Sequence, residues 1–300
     1  MEKISVLMCT YNEPIEWVSL TLNSVLNQTL KADEIVIIVD NPNNNEMIEF
    51  LKAEQAKNDT IKVYINEQNM GLVKSLNRGL TFCTGDYIAR IDADDIALEN
   101  RFEEQMKFIK EKKVDLVGAG FYVFYDDKIL KTNKGVENPK YCERIMNHNS
   151  IIAHPTWFMK KEVPEKLNGY RDIDSCEDLD YLQRAVLMGF KVANVREPLL
   201  KYRDNPNSIS HVKKTKQHLL KTLLCECYKN KKIISENEIQ QYLNSEQYKK
   251  DFKRKETYDS IKDKKLGKAK ELIQEAKNGV LDIEFMIRLR NFKVNYWKNK

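Results

Sequence analysis

Short apolar runs alternate with segments of helical periodicity over the first 125 residues of this chain. Apolar runs that stop at polar turns are typical of strands buried on both faces of a parallel sheet. Parallel strands need crossover connections, so the alternation predicts an α/β fold with a doubly wound, mostly parallel sheet. The predicted strands are Ile4–Cys9, Glu34–Val39, Ile61–Ile65, Tyr87–Ile91 and Asp115–Phe124, and the predicted helices are Trp17–Leu26, Met47–Lys57, Leu72–Thr81 and Arg101–Lys113.

The pattern changes after about residue 128. A strand-like segment at Trp157–Met159 and a helix at Asp178–Met188 stand within a mixed region. Beyond His211 the chain is rich in lysine, poor in glycine and proline, and helical in periodicity. We therefore predict one domain over residues 1–210 and a helical extension over residues 211–300.

Charge is distributed unevenly between these two regions. Residues 1–210 contain 27 Lys and Arg against 33 Asp and Glu, whereas residues 211–300 contain 23 against 12. A basic region of this kind fits an anionic partner such as a membrane surface, a phosphorylated lipid or nucleic acid, or it is simply a solvated helical tail. Within it, Val280–Trp297 interleaves apolar and basic residues, which fits an interfacial helix or a helix packed on the preceding domain.

Composition places the chain among globular proteins, because 42% of its residues are hydrophobic and 32% are charged. No apolar run approaches the roughly 20 residues that span a bilayer. The six cysteines are scattered without metal-ligand spacing, and we expect no signal peptide. We therefore expect reduced thiols and a cytoplasmic protein.

Three carboxylates follow the fourth predicted strand, at Asp92, Asp94 and Asp95. Like charges this close repel one another, so a counter-charge is expected there. Mg²⁺ and similar ions bind carboxylate and phosphate oxygens together. In an extended segment Asp92 and Asp94 point to the same side, so this pair is the predicted site for Mn²⁺ or Mg²⁺ and a diphosphate. A solvated acidic turn is the alternative.

Further polar residues follow neighbouring strands, where open α/β sheets bind ligands. Asp40 is suited to a nucleobase or ribose and Tyr11 to stacking on a base, unless they form an Asx turn and a packed aromatic. Lys74 or Arg90 is suited to a diphosphate, although Arg90 is equally suited to pairing with the Asp cluster. Asn12 and Asn69, which lie in two of these turns, complete the predicted set.

A second acidic group, Glu177 and Asp178, begins the helix predicted near residue 178. A carboxylate there can serve as a general base, or it can cap the helix. His154 and Trp157 are weaker candidates for the side that receives the acceptor. Arg203 is either a clamp on a diphosphate or part of a surface loop.

Six segments together resemble the inverting glycosyltransferases of family 2, which have the GT-A fold. They are "ISVLMCTYNEP", "EIVIIVDNP", "NMGLVKSLNRGL", "GDYIARIDADDIALENRFEEQ", "HPTWFMKK" and "EDLDYLQRA". They occur in the order and spacing of that family across residues 3–210. The nearest similarity is to bacterial capsule and exopolysaccharide transferases of the amylovoran-biosynthesis type.

The resemblance implies a role for each matching position. It implies that the uridine of a UDP-sugar is held by Thr10, Tyr11, Glu13 and Asp40. It implies that Asp92 and Asp94 bind the metal and the diphosphate, with Asp94 the direct ligand to the metal, and that Arg203 contacts the diphosphate. It also implies that Asp178 is the general base and that Glu177 supports it. The nucleotide-sugar half would then cover about residues 1–125, and the acceptor half about 126–210. The acceptor would be a growing surface polysaccharide or a lipid-linked oligosaccharide at the inner face of the cell membrane.

The chain also departs from the family pattern. Leu76 stands where many relatives have arginine, and Lys74 is our candidate for that charge. Asn205 stands where a histidine is frequent. Two other functions remain open at this stage: a nucleotidyltransferase, although the turn after the first strand lacks glycine and basic residues, and a non-catalytic binding protein. No recognisable nucleic-acid-binding motif is present, so nucleic acid is not an expected partner.

Overall fold

The computed structural model of the protein describes residues 2–126, 128–150, 152–173, 176–205 and 214–262. The chain divides into two compact units, one comprising residues 1–208 and 224–233, the other residues 209–223 and 234–300. The first unit contains the β-sheet, and the described residues of the second are mainly helical. These features confirm the predicted α/β fold with a helical C-terminal extension. The assignment of catalysis to residues 1–210 stays a prediction.

Within the described residues, nine strands form one sheet in the order β3-β2-β1-β4-β8-β6-β9-β5, with β7 paired to β6. The pairs among β1 to β4 are parallel, as predicted, and so is the β6–β9 pair. The other pairs are antiparallel, with β8 joining β4 to β6. The strands are β1 Ile4–Thr10, β2 Glu34–Val39, β3 Ile61–Ile65, β4 Tyr87–Asp92, β5 Ile96–Ala97, β6 Leu116–Tyr125, β7 Lys128–Asn133, β8 Phe158–Lys160 and β9 Val192–Arg203.

Helices of the first unit cover both faces of this sheet. The helices of the described residues are α1 Ile15–Leu26, α2 Asn45–Lys57, α3 Leu72–Phe82, α4 Arg101–Lys112, α5 Pro139–Ile145, α6 Glu162–Leu167, α7 Glu177–Leu187, α8 Lys214–Lys229, α9 Glu236–Asn244 and α10 Glu246–Lys262, and a 3-10 turn covers His154–Thr156. Successive side chains of a strand point to opposite faces. Val6 and Met8 therefore pack with α1, α2 and α4, whereas Leu7 packs with α3, α6 and α7. This two-sided burial explains why β1 reads as a nearly continuous apolar run.

Strand β9 was not predicted from the sequence. Its twelve residues include Arg196, Glu197 and Pro198, which interrupt the apolar pattern. The pairing of β9 with β6 shifts register around Gly120, so these residues form a β-bulge or similar irregularity opposite β6. The strand nevertheless brings Arg203 to the same end of the sheet as Asp92.

The second unit contains the first residues of α8 and the helices α9 and α10. Helix α9 begins with a capping box, in which Ser235 and Glu238 satisfy each other's backbone N–H groups. None of the helices in the described parts of the chain is both long and apolar enough to cross a bilayer. The segment Val280–Trp297, for which an interfacial helix was considered, lies outside the described residues.

Candidate active site

The acidic cluster lies in the turn between β4 and β5. Oxygens of Asp92, Asp94 and Asp95 all lie within 4.8 Å of one another. The buried residues of β4 hold the beginning of the turn, and Asp92 and Asp94 remain partly exposed while Asp95 is buried. Asp92 and Asp94 are therefore accessible to a ligand, and their predicted contact with a metal and a diphosphate stays a prediction. Asp95 instead leads into the short strand β5.

Two carboxyls of this cluster, those of Asp94 and Asp95, resist ionisation. Burial, followed by repulsion from Asp92 and Glu13, raises the pKa of Asp94 to about 7. Burial, followed by repulsion from Asp92 and Asp94, raises the pKa of Asp95 well above its usual range. Its Oδ2 atom is buried and has no hydrogen-bond partner among the described residues. A divalent cation would relieve this repulsion, so the donor set fits Mn²⁺ or Mg²⁺.

Arg90 pairs with Asp92 and is itself buried. Burial disfavours its charged form, but attraction to Asp92 and its neighbours leaves the pKa of Arg90 above its ordinary value. The pair matches the internal role considered for Arg90, as an ionic partner of the cluster. Arg101, which the sequence did not single out, lies behind it and donates to the Arg90 carbonyl oxygen at 2.6 Å.

Arg203 lies at the end of β9, next to the cluster. Its backbone N–H donates to Asp95 Oδ1 at 2.9 Å, and its Nε donates to the Asp94 carbonyl oxygen at 2.8 Å. The guanidinium carbon lies 4.5 Å from the ring centres of both Trp17 and Phe124. Arg203 is therefore a buried residue held between two rings, and the alternative of a surface loop is wrong for it.

The turn after β1 is built around Glu13. Its Oε2 atom accepts hydrogen bonds from the Thr10 hydroxyl and the Tyr11 backbone N–H, both at 2.7 Å. Asn12 Oδ1 accepts from the Asn41 side chain at 2.7 Å, which joins this turn to the one after β2. Tyr11 remains 42% exposed, so its ring is available for stacking. Their predicted contact with uridine stays a prediction.

Asp40 lies at the next strand end and holds the start of α3. Its Oδ1 atom accepts from the Asn66 side chain at 2.6 Å and from the Met70 backbone N–H at 2.8 Å. Its Oδ2 atom accepts from the Gly71 N–H at 2.9 Å. Gly71 has a φ of +82°, a backbone angle that glycine adopts without strain. Asp40 is thus buried and already hydrogen-bonded to protein, which gives it a structural role whether or not it also contacts a nucleoside.

Asn69 and Lys74 flank this helix start. Asn69 Oδ1 accepts from the Gly71 N–H at 3.0 Å, and both Asn69 and Lys74 are exposed. Lys74 lies in the first turn of α3, close in sequence to the residues that Asp40 holds. Its role on a diphosphate stays a prediction.

Glu177 and Asp178 open α7 and are partly buried. Asp178 Oδ1 accepts from the Leu179 N–H at 2.7 Å, whereas the residue before the helix, Cys176, makes no side-chain cap. Burial, followed by repulsion from Asp178, raises the pKa of Glu177 to about 7. Burial also raises the pKa of Asp178, against the opposing effect of Arg90.

This second acidic group lies within electrostatic reach of the first. The charge of Arg90 lowers the pKa of both Glu177 and Asp178, and the charge of Asp92 raises that of Glu177. Charges separated by long distances through water have little effect on each other, so the two acidic groups lie near one another. Asp180, one turn further on, is buried and paired with Arg171 and Arg184, which anchors the beginning of α7.

His154 and Trp157 belong to the core and do not line an open surface. Trp157 is fully buried, and its Nε1 donates to the Ile152 carbonyl oxygen at 3.3 Å. His154 Nε2 lies 2.8 Å from the Tyr170 hydroxyl, and burial holds the pKa of His154 well below its usual value. The prediction that they contact an acceptor is therefore wrong for this structure. An aromatic residue followed by apolar residues gives the same sequence pattern in the core as it does at the edge of a cleft, so the sequence does not distinguish the two.

Comparison with known proteins assigns this chain to a family. The model of Glycosyl transferase family 2 matches residues 5–167. An uncharacterized glycosyltransferase of Methanocaldococcus jannaschii is 35% identical over 78% of this chain and 82% of its own length. The O-antigen biosynthesis glycosyltransferase WbnJ of Escherichia coli is 27% identical over 81% of this chain and 94% of its own length. The chain belongs to glycosyltransferase family 2.

Solved structures agree on the fold. The crystal structure of S. aureus TarS 1-349 in complex with UDP-GlcNAc matches with a TM-score of 0.59 and 16% sequence identity, covering 92% of each chain. Together with the family, this similarity confirms the GT-A expectation. Membership favours glycosyl transfer over the nucleotidyltransferase and binding-protein alternatives.

Proposed function

We propose that the protein is an inverting, metal-assisted glycosyltransferase that moves one sugar from a UDP-sugar to an acceptor hydroxyl. The observation that carries the proposal is the acidic cluster of Asp92, Asp94 and Asp95 within electrostatic reach of Glu177 and Asp178. One group suits the leaving diphosphate and its cation, and the other suits the removal of a proton. Metal-assisted sugar transfer in a single displacement uses both.

On the donor side, Asp94 and Asp92 would hold Mn²⁺ or Mg²⁺. The cation, when bound, supplies positive charge for the departing diphosphate. Arg203 and Lys74 are the proposed positive side chains for the same group, since charge-assisted bonds to phosphate are strong. Exposed Tyr11 would stack on the uracil ring, and Thr10, Asn12, Glu13, Asp40 and Asn69 form or support the nucleoside pocket.

On the acceptor side, Asp178 would take the hydroxyl proton. The acceptor oxygen then forms its bond to the anomeric carbon, while the bond from that carbon to the diphosphate oxygen breaks and its electron pair leaves with UDP. Attack from the face opposite the leaving group inverts the anomeric centre. Glu177 would orient the acceptor or Asp178. The raised pKa of Asp178 suits a base, because a weakly acidic conjugate holds the proton better.

The proposed acceptor is a growing surface polysaccharide or a lipid-linked oligosaccharide. The O-antigen biosynthesis function in the name of the Escherichia coli relative supports this class. A lipid-linked acceptor would require the enzyme to act at a membrane surface. The excess of basic residues over 211–300 supports peripheral attachment to the anionic inner face of the cell membrane. Under this proposal the protein is cytoplasmic and binds the membrane reversibly.

A screen of UDP-sugars tests the proposal. We expect one UDP-sugar to raise the melting temperature in the presence of Mn²⁺ or Mg²⁺, and to be slowly hydrolysed. Asp94→Asn should lose the metal-dependent part of both effects. Asp59→Asn, which changes an exposed carboxyl outside the two acidic groups, should keep both effects. Equal stabilisation with and without a divalent cation would contradict metal assistance. Stabilisation by GDP-sugars alone would contradict the choice of donor.

A further inference from the structure

Arg90 is a buried cation that uses only some of its hydrogen-bond donors. The residue is 3% exposed, and its Nη2 atom pairs with Asp92. Its Nε and Nη1 atoms are buried and have no hydrogen-bond partner among the described residues. An unpaired buried donor on a charged group is unfavourable, and folded proteins satisfy nearly all such groups. The unpaired donors therefore indicate that Arg90 has a second anionic partner in the working protein.

The side chain of Arg90 lies near both acidic groups of the candidate site. Ile88, Arg90 and Asp92 alternate along β4 and therefore point to the same face of the sheet. On that face Ile88 belongs to a hydrophobic cluster that includes residues of α7, the helix that Glu177 and Asp178 begin. Burial is the largest influence on the pKa of both of these carboxyls, and the charge of Arg90 opposes it. The guanidinium group thus has anionic groups on two sides.

Arginines already offset the charge of the acidic cluster. Burial is the largest influence on the pKa of Arg90, Arg101 and Arg203, and the charges of the cluster raise each of these pKa values against it. Burial lowers the pKa of Arg101 to about 9, which still leaves it charged at neutral pH. The three guanidinium groups therefore match the three carboxyls of the cluster in number. Little uncompensated negative charge is left to attract a divalent cation that arrives alone.

We propose that Arg90 is a positioning residue that holds Asp92 while no nucleotide is bound and releases it when the diphosphate and its cation bind together. The pair places a positive charge beside the acidic cluster, where it opposes a cation that arrives without a nucleotide. The negative diphosphate offsets that repulsion and supplies oxygen ligands of its own. When the cation takes Asp92, Glu177 and Asp178 are the carboxylates within electrostatic reach of the released guanidinium group.

This inference rests on the proposed function, because it assumes that the acidic cluster holds a cation for a nucleotide diphosphate. It adds that the cation and the nucleotide bind with positive coupling, and that Arg90 causes part of that coupling. Coupling between two ligands is reciprocal, so the cation should tighten the binding of UDP by the same factor as UDP tightens the binding of the cation.

Binding of Mn²⁺ to the full chain, measured with and without saturating UDP, tests the inference. Electron paramagnetic resonance of free Mn²⁺ gives the affinity and requires neither an acceptor nor turnover. In the unchanged protein we expect UDP to tighten Mn²⁺ binding at least about tenfold. In Arg90→Met we expect Mn²⁺ alone to bind at least about tenfold more tightly than in the unchanged protein, because a positive charge beside the cluster is gone. The factor by which UDP tightens Mn²⁺ binding should fall in this variant.

Two further variants serve as controls. Arg90→Lys keeps the positive charge, so its affinity for Mn²⁺ alone should stay close to that of the unchanged protein. Arg144→Met removes an exposed arginine of α5 and should leave Mn²⁺ binding unchanged with and without UDP. Damage to the fold would weaken Mn²⁺ binding, whereas the inference predicts that Arg90→Met strengthens it. If urea unfolding shows that Arg90→Met is not folded, Arg90→Gln takes its place with the same expected result.

Two outcomes would overturn the role of Arg90 alone. They are an affinity for Mn²⁺ without UDP that is equal or weaker in the folded neutral variant, and an Arg90→Lys protein that binds Mn²⁺ alone as tightly as Arg90→Met does. The unchanged protein reports separately on the proposed function. If it fails to bind Mn²⁺ even with UDP, metal assistance and the inference both fail, whereas UDP-dependent Mn²⁺ binding that Arg90→Met leaves unaltered refutes only the inference.

Discussion

Asp40 offers a direct test of how the site is held together. Its carboxylate accepts hydrogen bonds from the Asn66 side chain and from the backbone N–H groups of Met70 and Gly71. Asn66 is fully buried, so loss of Asp40 leaves its amide facing protein instead of water. Met70 and Gly71 are partly or largely exposed, and water can replace the acceptor there. The substitution Asp40→Ala therefore removes one bond that water cannot restore and two that it partly can.

The expected loss follows from these contacts. A hydrogen bond to a charged group contributes about 1.5–3 kcal/mol, and an unpaired buried group costs about 1–3 kcal/mol. The bonds from the Met70 and Gly71 N–H groups contribute less, because water can replace the carboxylate there. We therefore expect Asp40→Ala to lower the free energy of unfolding by about 3 kcal/mol. Asp40→Asn keeps one acceptor oxygen but replaces the other with an NH2 group, which cannot accept a hydrogen bond from the N–H group that it faces. We therefore expect a loss of about 2 kcal/mol. These values are large beside a typical stability of about 5–15 kcal/mol.

Urea unfolding followed by tryptophan fluorescence measures the change. Asp59→Asn, at an exposed carboxyl, is the control and should change stability by less than about 0.5 kcal/mol. UDP affinity, measured on the folded variants by calorimetry, separates a structural from a direct role. If Asp40→Ala lost less than about 0.5 kcal/mol, the proposed support of α3 by Asp40 would be refuted.

Three further predictions concern other parts of the first unit. Asp180→Asn should lower the free energy of unfolding by about 3 kcal/mol in urea, because it breaks the buried pair with Arg184, and an unchanged midpoint would contradict this. Gly135→Ala should cost at least about 2 kcal/mol, because its methyl carbon would lie 1.9 Å from the Val195 carbonyl oxygen; a thermal melt equal to that of the unchanged protein would show that the loop adapts. The logarithm of kcat/KM should fall as pH decreases through a pKa above the usual range of aspartate, because Asp178 must be ionised to act as a base and burial raises its pKa. A rate independent of pH from acidic to neutral conditions would argue against that role.

The sequence predicts the N-terminal half of the sheet well. Strands β2 and β3 begin and end at the predicted residues, and β1 and β4 each extend one residue further. Their apolar runs are unbroken because both faces are covered by helices. Strand β9 escaped prediction because Arg196, Glu197 and Pro198 lie where it passes β6 irregularly, so no periodicity marks it.

The sequence singles out the acidic residues of the candidate site but not the residues that surround them. Asp92, Asp94 and Asp178 follow or begin predicted elements, and the structure brings their neighbourhoods together. Burial could not be read from the sequence, which is why Trp157 was expected at a surface that it does not reach. The support of Arg203 by two distant rings is likewise a property of the folded chain alone.

The proposed mechanism requires Asp178 to remove the acceptor proton while the acidic cluster holds the leaving group. Single-turnover transfer by Asp178→Asn, with the UDP-sugar and acceptor used by the unchanged protein, tests it most directly. We predict that the variant binds the UDP-sugar with unchanged affinity and transfers the sugar about 100- to 10,000-fold more slowly. Transfer at a rate close to that of the unchanged protein would show that Asp178 is not the general base.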